Sequence, residues 1–254
     1  SNRLLIIIGL ILTTYFFTTH WDKIRFTYTE ANLLPDTHPE NIKYRAFTEK
    51  FGEEGNLIVI SVKDSTLFTI DKLNAWNNLS NSFKGHSDVS TVISFGDLQK
   101  LKKDEDSRQF YIEPFIKDSI SSNEEVENLK YEIFNRTPFY DKFLINSESQ
   151  AVRTAINLKT EVVNTIQREK FVNEVLLPRV SKFEKNYDID IRISGMPYVR
   201  TKYSETIKQE LGKFIFLAII VTSFIFFLFF RSIRATVISI FTVCIGVMWT
   251  LGIV

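Results

Sequence analysis

Cysteine and histidine are scarce in this sequence of 254 residues. It contains one cysteine, Cys244, and three histidines, His20, His38 and His86. Cys244 lies within an apolar run, so the polar part of the chain has no disulfide bond, which fits a bacterial periplasmic domain. The histidines are far apart in loop-like contexts, so we predict no metal site and no cofactor.

Charge is absent from three apolar runs, residues 4–17, 214–230 and 235–254. Because the hydrocarbon layer is about 30 Å thick, a spanning helix needs roughly 20 apolar residues. The third run has that length, the second reaches it with its flanking basic residues, and the first reaches it by extending to Trp21. No small-x-small cleavage site follows the first run, which favours a membrane anchor over a cleaved signal peptide. The sequence therefore predicts three transmembrane helices.

Basic residues beside the apolar runs predict the orientation of the chain. Arg3 precedes the first run, and Arg231 and Arg234 lie in a four-residue turn between the second and third. Because short basic loops stay in the cytoplasm, we expect a cytoplasmic N-terminus and an external segment over residues 20–211. That segment holds all 30 acidic residues and 27 of the 31 basic ones, a net charge of −3, which gives no basic surface for nucleic acid. We expect transmembrane helix 1 at 1–21, a periplasmic domain at 22–211, and transmembrane helices 2 and 3 at 212–254.

Hydrophobic periodicity predicts a mixed α+β fold for the external domain. Leu57–Val62 is a short β-branched run typical of a buried strand. A helix with one apolar face follows, formed by Leu73, Trp76, Leu79 and Phe83. Alternation predicts three more strands, at Val89, Thr91 and Ile93, at Val152, Thr154, Ile156 and Leu158, and at Ile189, Ile191 and Ile193. A helix of about 20 residues precedes the last strand, with Val162, Ile166, Val172, Val175 and Leu176 apolar and a kink at Pro178. This order describes a ferredoxin-like sandwich with two strand–helix–strand units.

Two motifs of the capping-box type predict further helices. Thr37 with Glu40 opens a helix over Pro39–Phe51. Ser122 with Glu125 opens another within an insertion at about residues 97–142, between the two strand–helix–strand units. Residues 142–145 are predicted to add an edge strand.

The last external residues continue into the second apolar run without a strong helix breaker. Tyr203, Ile207 and Leu211 recur at helical spacing, which predicts one helix over residues 202–230. Such a helix would couple tilting of the external domain to movement of a membrane helix. A plain amphipathic spacer is the alternative interpretation.

Aromatic residues are concentrated around the insertion, at Phe110, Tyr111, Phe115, Phe134, Phe139, Tyr140 and Phe143. An apolar cleft for a lipid-like substrate needs such side chains. The core of a small domain needs them too, and the sequence leaves both interpretations open.

Sequence motifs for several kinds of chemistry are missing. No phosphate-binding loop of the GxxxxGK[ST] type and no GxSxG turn occurs. The paired acids Glu53-Glu54 and Glu124-Glu125 are adjacent along the chain, which is typical of solvated turns and helices rather than of a catalytic dyad. We therefore predict no enzyme and no catalytic residues, and the substrate-binding residues stay unknown.

Several motifs follow one another along nearly the whole chain. Asn32-Leu33-Leu34-Pro35 follows the first span, Ile193-Ser194-Gly195-Met196-Pro197-Tyr198 precedes the second, and Phe229-Phe230-Arg231-Ser232-Ile233-Arg234 and Trp249-Thr250-Leu251-Gly252 follow. Their order resembles the start of the RND superfamily of exporters, in its MMPL-like branch. The resemblance implies a proton-driven secondary exporter of lipid-like or amphiphilic molecules in the bacterial inner membrane, with membrane lipids and such a substrate as partners.

The same resemblance implies parts that this sequence does not hold. Such exporters have twelve spans, with relay acids on spans four and ten, whereas this chain carries three apolar runs free of ionisable residues. We therefore expect a fragment, a truncated piece or one part of a split transporter, which works with the remaining spans or a second copy. Two alternatives stay open, a ligand-sensing receptor and a membrane-anchored periplasmic accessory module of the SecD/SecF-like kind.

Overall fold

The computed structural model describes residues 3–19, 34–51, 55–104, 109–116, 119–137 and 139–253. Its elements are helices α1 (Arg3–Thr18), α2 (Pro39–Phe51), α3 (Ile70–Phe83), α4 (Asn123–Asn135), α5 (Thr160–Val163), α6 (Ile166–Lys170), α7 (Leu177–Tyr187), α8 (Met196–Phe230) and α9 (Ile233–Ile253), and strands β1 (Leu57–Val62), β2 (Val89–Ile93), β3 (Gln99–Lys103), β4 (Phe110–Pro114), β5 (Ile145–Asn146), β6 (Ala151–Leu158) and β7 (Ile191–Ser194). Contacts divide the chain into two compact units, residues 1–28 with 204–254 and residues 29–203.

The first unit is built from apolar helices. Within the described residues, α8 and α9 are long and apolar enough to cross a membrane, whereas α1 is shorter. At 1.5 Å per residue, the 16 residues of α1 reach about 24 Å. The predicted extension of the first span to Trp21 lies outside the described residues. The turn between α8 and α9 consists of Arg231 and Ser232, shorter than the predicted four residues because Arg234 already lies in α9.

Helices α1 and α9 pack against each other within this unit. The indole Nε1 of Trp249 donates a hydrogen bond to Thr14 Oγ1 at 3.0 Å, and the Trp249 ring lies 6.0 Å from that of Phe17. Gly252 passes the backbone of Phe17 so closely that an added Cβ would lie 2.6 Å from its carbonyl oxygen. These contacts advance in the same direction along both helices, so α1 and α9 run parallel.

The second unit is centred on an antiparallel sheet with strand order β2-β6-β1-β7, which β5 extends beside β6. Strand β1 has the predicted bounds. Its side chains Ile58, Ile60 and Val62 are buried, as is Ile156 on the neighbouring β6. Burying these aliphatic side chains stabilises the fold by about 1.5–3 kcal/mol each.

Helices α3 and α7 contribute to the same core. Trp76 of α3 is buried and meets Phe183 of α7 edge to face, with ring centroids 5.7 Å apart. A buried hydroxyl pair, Ser80 on α3 and Thr154 on β6, is satisfied by one hydrogen bond of 2.7 Å. The predicted apolar face of α3 is confirmed by the burial of its side chains.

Strand β2 differs from its predicted alternation. Val89 and Val92 are buried, whereas Thr91 is exposed and Ile93 is 41% exposed. The register with β6 shifts between Val89 and Thr91. A bulge inserts one residue and so changes which side chains face the core beyond it; the predicted strand is present, but its alternation at Val89, Thr91 and Ile93 is interrupted.

The helix predicted after β6 is divided into segments. Thr165 caps a new helix, α6, because its Oγ1 accepts a hydrogen bond from the backbone of Gln167 at 3.2 Å. In this arrangement Ile166 lies on the surface rather than in the core. A π-helix, Phe171–Leu176, then leads into α7, where Pro178 lies in the first turn. Because proline has no N–H to donate, the chain accommodates it with this wider turn.

The start of α2 also differs in detail from the predicted capping box. The helix begins at Pro39, so His38 rather than Thr37 is the capping residue. The Nδ1 atom of His38 accepts a hydrogen bond from the backbone of Glu40 at 3.3 Å.

Candidate substrate clefts in the insertion

The insertion leaves the sheet at Asp97. One carboxylate oxygen of Asp97 accepts hydrogen bonds from the backbone and hydroxyl of Ser94, at 2.9 and 3.0 Å, and the other accepts one from Lys84 Nζ at 2.5 Å. Partial burial alone would raise the pKa of this carboxyl, but the hydrogen bonds from Lys84 and Ser94 outweigh it and hold the pKa below its ordinary value. The charged carboxylate of Asp97 therefore holds the start of the insertion against Ser94 and Lys84.

A single amide holds the segment that precedes α4. Asn74 of α3 donates to the carbonyl oxygen of Ile120 at 2.8 Å and accepts from its N–H at 3.0 Å. These two hydrogen bonds have the pattern of a backbone pair in a β-sheet, and Ile120 is buried. The segment before α4 is therefore anchored to α3.

Helix α4 is capped at its predicted position. Ser122 Oγ accepts from the backbone of Glu125 at 3.2 Å, while the Glu125 carboxylate reaches past the cap to the N–H of Ser121 at 2.8 Å. That backbone hydrogen bond from Ser121 is the main reason why the pKa of Glu125 is lowered. The residues predicted for this helix start are confirmed.

The hairpin of β3 and β4 and helix α4 enclose two adjoining clefts. The first, here called the Tyr131 cleft, has a volume of about 700 Å³ and is lined by Lys100, Glu113, Pro114, Phe115, Ile116, Ser119, Ile120, Glu125, Asn128, Leu129, Tyr131, Glu132 and Arg136. The second, here called the Phe139 cleft, has about 540 Å³ and is lined by Gln99, Lys100, Leu101, Lys102, Phe115, Glu132, Arg136, Thr137, Phe139 and Tyr140. Both volumes lie in the range of about 300–1,000 Å³ that ligand sites occupy.

Two ion pairs organise the charges of the clefts. Lys100 Nζ lies 2.9 Å from Glu132 Oε2 at the boundary that both clefts share. Lys102 Nζ lies 2.5 Å from Glu113 Oε2, and this hydrogen bond raises the pKa of Lys102. Arg136, which lines both clefts, stacks over the ring of Tyr131 at 5.5 Å. The arrangement offers apolar walls beside positioned charges, which suits an amphiphilic ligand.

The family to which this chain belongs follows from comparison with known proteins. The model of the MMPL family matches residues 43–254. The chain belongs to the MMPL family. Members of this family are RND-type transporters of hydrophobic substrates and not enzymes. No curated protein matches the sequence.

In this MMPL chain, the aromatic residues around the insertion divide between core and surface. Phe115, Phe134 and Tyr140 pack against the core. Phe139 and Phe143 are 82% and 77% exposed, and Phe110 and Tyr111 are exposed on β4. Phe115, Phe134 and Tyr140 therefore agree with the core interpretation, whereas Phe110, Tyr111, Phe139 and Phe143 are exposed, as the cleft interpretation requires.

The histidines and paired glutamates that the structure describes do not form a common site. His38 caps α2, whereas His86 lies beside Phe171. Among the described residues, no three metal-ligating side chains of His, Cys, Asp or Glu form a group. His20 and Glu53-Glu54 lie outside the described residues, and Glu124-Glu125 form the first turn of α4.

Three features of the site were missed by the sequence interpretation. The hairpin was not predicted, although Lys100, Leu101 and Lys102 alternate as a strand does. The charges of Glu132 and Arg136 were not connected to it because they come from α4 and the residue that follows it, some thirty residues further along the chain. The anchoring role of Asn74 had no signal in the sequence.

Proposed function

We propose that this chain is part of a proton-driven secondary exporter that moves lipid-like or amphiphilic molecules outward from the bacterial inner membrane. The match of residues 43–254 to the MMPL family carries the proposal. In this proposal the insertion clefts receive the apolar part of the substrate, because their volume and aromatic walls suit it.

The external domain is proposed to be a ferredoxin-like porter domain at residues 22–211. Two features of the sheet support this assignment. The pairs β1–α3–β2 and β6–α7–β7 each join parallel strands through a helical crossover, and the strand order β2-β6-β1-β7 interleaves the two units.

The proposed topology places the N-terminus in the cytoplasm and this domain in the periplasm, with residues 1–21 and 212–254 in the membrane. The parallel packing of α1 and α9 supports it, since Arg3 at the start of α1 and Arg234 at the start of α9 then lie at the same membrane face. The long helix α8 is proposed to transmit movement of the spans to the domain. Its continuity from Met196 to Phe230 supports that role over a plain spacer.

The proton relay is assigned to partner spans, supplied by the remaining transporter helices or by a second copy. The apolar runs 4–17, 214–230 and 235–254 contain no ionisable acid that could carry protons. Coupling therefore needs acids from other membrane helices.

Efflux measurements test this function. Cells of the source organism, with the gene deleted and then restored, are loaded with the lipophilic dye Nile red. We expect restoration to speed dye efflux and a protonophore to abolish the gain. Efflux that is unchanged by deletion, or a gain that survives the protonophore, would contradict the proposal. Binding of the external domain to protein clients, with no effect on efflux, would favour the accessory module instead.

A further inference from the structure

The Phe139 cleft carries an excess of positive charge. Three cations line it, Lys100, Lys102 and Arg136, against one carboxylate, Glu132. The adjoining Tyr131 cleft has the opposite balance, with three carboxylates and two cations. Once the ion pairs Lys100–Glu132 and Lys102–Glu113 are taken as neutral, the Phe139 cleft keeps the positive charge of Arg136, whereas in the Tyr131 cleft Glu125 balances it.

Two of the three cations already have carboxylate partners. Lys100 is paired with Glu132 at 2.9 Å and Lys102 with Glu113 at 2.5 Å. Across the described part of the chain, no carboxylate pairs with Arg136, whose guanidinium lies over the Tyr131 ring. Arg136 is therefore the cation that remains to receive an anion.

Exposed apolar side chains line the same cleft as this arginine. Leu101 is 66% exposed and Phe139 is 82% exposed, and Phe115 and Tyr140, which also line the cleft, pack against the core. Covering the two exposed side chains with a hydrocarbon chain removes apolar area from water, which is the driving force for binding. The guanidinium supplies a planar, bidentate donor for carboxylate or phosphate at one end.

We propose that the Phe139 cleft selects amphiphiles with an anionic head, which binds Arg136 while the hydrocarbon tail lies along Leu101 and Phe139. This inference rests on the proposed function, since it names the class of molecule that the insertion clefts take. The head is a carboxylate or phosphate, and the negative charge of Glu125, which has no lysine partner among the described residues, disfavours it in the Tyr131 cleft.

Photolabelling with matched probes tests the proposal. The full chain in phosphatidylcholine nanodiscs is exposed to palmitate with a diazirine in its tail, and to the same tail on a neutral ethanolamide and on a cationic choline ester. Labelled peptides are mapped by mass spectrometry. We expect palmitate to label the peptides of β3 and Phe139 about tenfold more than the neutral probe, and the cationic probe least. Inorganic phosphate should not displace palmitate, because it has no tail to bind.

Variants separate the role of Arg136 from a general effect of surface charge. Arg136→Gln should reduce palmitate labelling about tenfold, to the level of the neutral probe, and Arg136→Lys should retain part of the preference. Arg192→Gln, which removes an exposed arginine on β7, should leave labelling unchanged.

The outcomes distinguish this proposal from the function on which it rests. Equal labelling of the cleft by all three probes, or an equal loss in both glutamine variants, would overturn the selection by charge and leave the exporter assignment standing. Displacement by inorganic phosphate would overturn the role of the tail. An unlabelled cleft with every probe would remove the cleft from substrate binding, while the protonophore-sensitive efflux measurement would still decide the exporter function.

Discussion

Gly195, at the junction between β7 and α8, has a conformation and a position that exclude a side chain. Its φ is +116°, and an added Cβ would overlap the carbonyl oxygen of Leu57 and lie 2.9 Å from Cα of Ile58, both on β1. The backbone conformation costs a non-glycine residue about 1–3 kcal/mol. Relief of the overlap requires β1 and β7 to separate, which forfeits two ladder hydrogen bonds of about 1 kcal/mol each.

Gly195→Ala should therefore destabilise the pairing of β1 with β7 by about 4 kcal/mol. Hydrogen exchange of the β1 peptide in the full chain measures this opening directly, and we expect it to accelerate about a thousandfold. Gly85→Ala is the matched control for backbone strain alone, since Gly85 has a φ of +76° but no atom within 4 Å of an added Cβ. Gly212→Ala, within α8 and also unobstructed, should leave β1 unchanged. Exchange in Gly195→Ala that is no faster than in Gly85→Ala would refute the steric argument.

Three further changes test separate contacts. Asn74→Ala removes both hydrogen bonds to the segment before α4, so exchange there should rise by the equivalent of about 2 kcal/mol, while Asn78→Ala on the same helix should have no such effect. The pKa of Asp97 is held below its ordinary 3.8, so its stabilisation is complete above that pH and is lost as pH falls through the lower native pKa. Asp97→Asn should flatten this acid limb in urea unfolding, and an unchanged limb would contradict the assigned hydrogen bonds. Trp249→Phe keeps an aromatic ring at this position but removes the hydrogen bond to Thr14, and should weaken α1–α9 association by roughly 0.6–2 kcal/mol in a crosslinking assay. Thr14→Val should then add nothing further in the double variant.

The hydrophobic pattern of the sequence was sufficient to predict secondary structure where the strands and helices are regular. Strand β1 has its predicted bounds because five of its six residues are aliphatic, and such a short apolar run leaves few alternatives to a buried strand. The position of β2 follows from its alternating residues but the interruption of that alternation does not, because a bulge depends on pairing with β6 and leaves no trace in β2 itself. The new helix that begins after Thr165 and the π-helix before Pro178 likewise depend on tertiary packing, which the hydrophobic periodicity of the sequence does not reveal.

The candidate site was less predictable than the fold. Its aromatic residues were recognisable as a group, but only three-dimensional packing separates Phe115, which is partly buried against the core, from the exposed Phe139. The charges that line the two clefts come from β3, β4, α4 and the residue after α4, so their pairing depends on tertiary contacts. Asn74 acts through the backbone of a segment 46 residues away, a relation that one sequence does not reveal.

The claim that the transported molecule passes through the Phe139 cleft is tested most directly by dye efflux from cells that carry matched aspartate variants. Phe139 lines the Phe139 cleft, whereas Phe143 is nearly as exposed, lies four residues away and lines neither cleft. If the substrate covers Phe139, Phe139→Asp should lower the initial rate of proton-driven efflux about tenfold, given about 1.5–3 kcal/mol for burying such a side chain. Phe143→Asp should retain the rate. Equal rates in both variants, whether retained or lost together, would contradict the assignment of the cleft to the transport path.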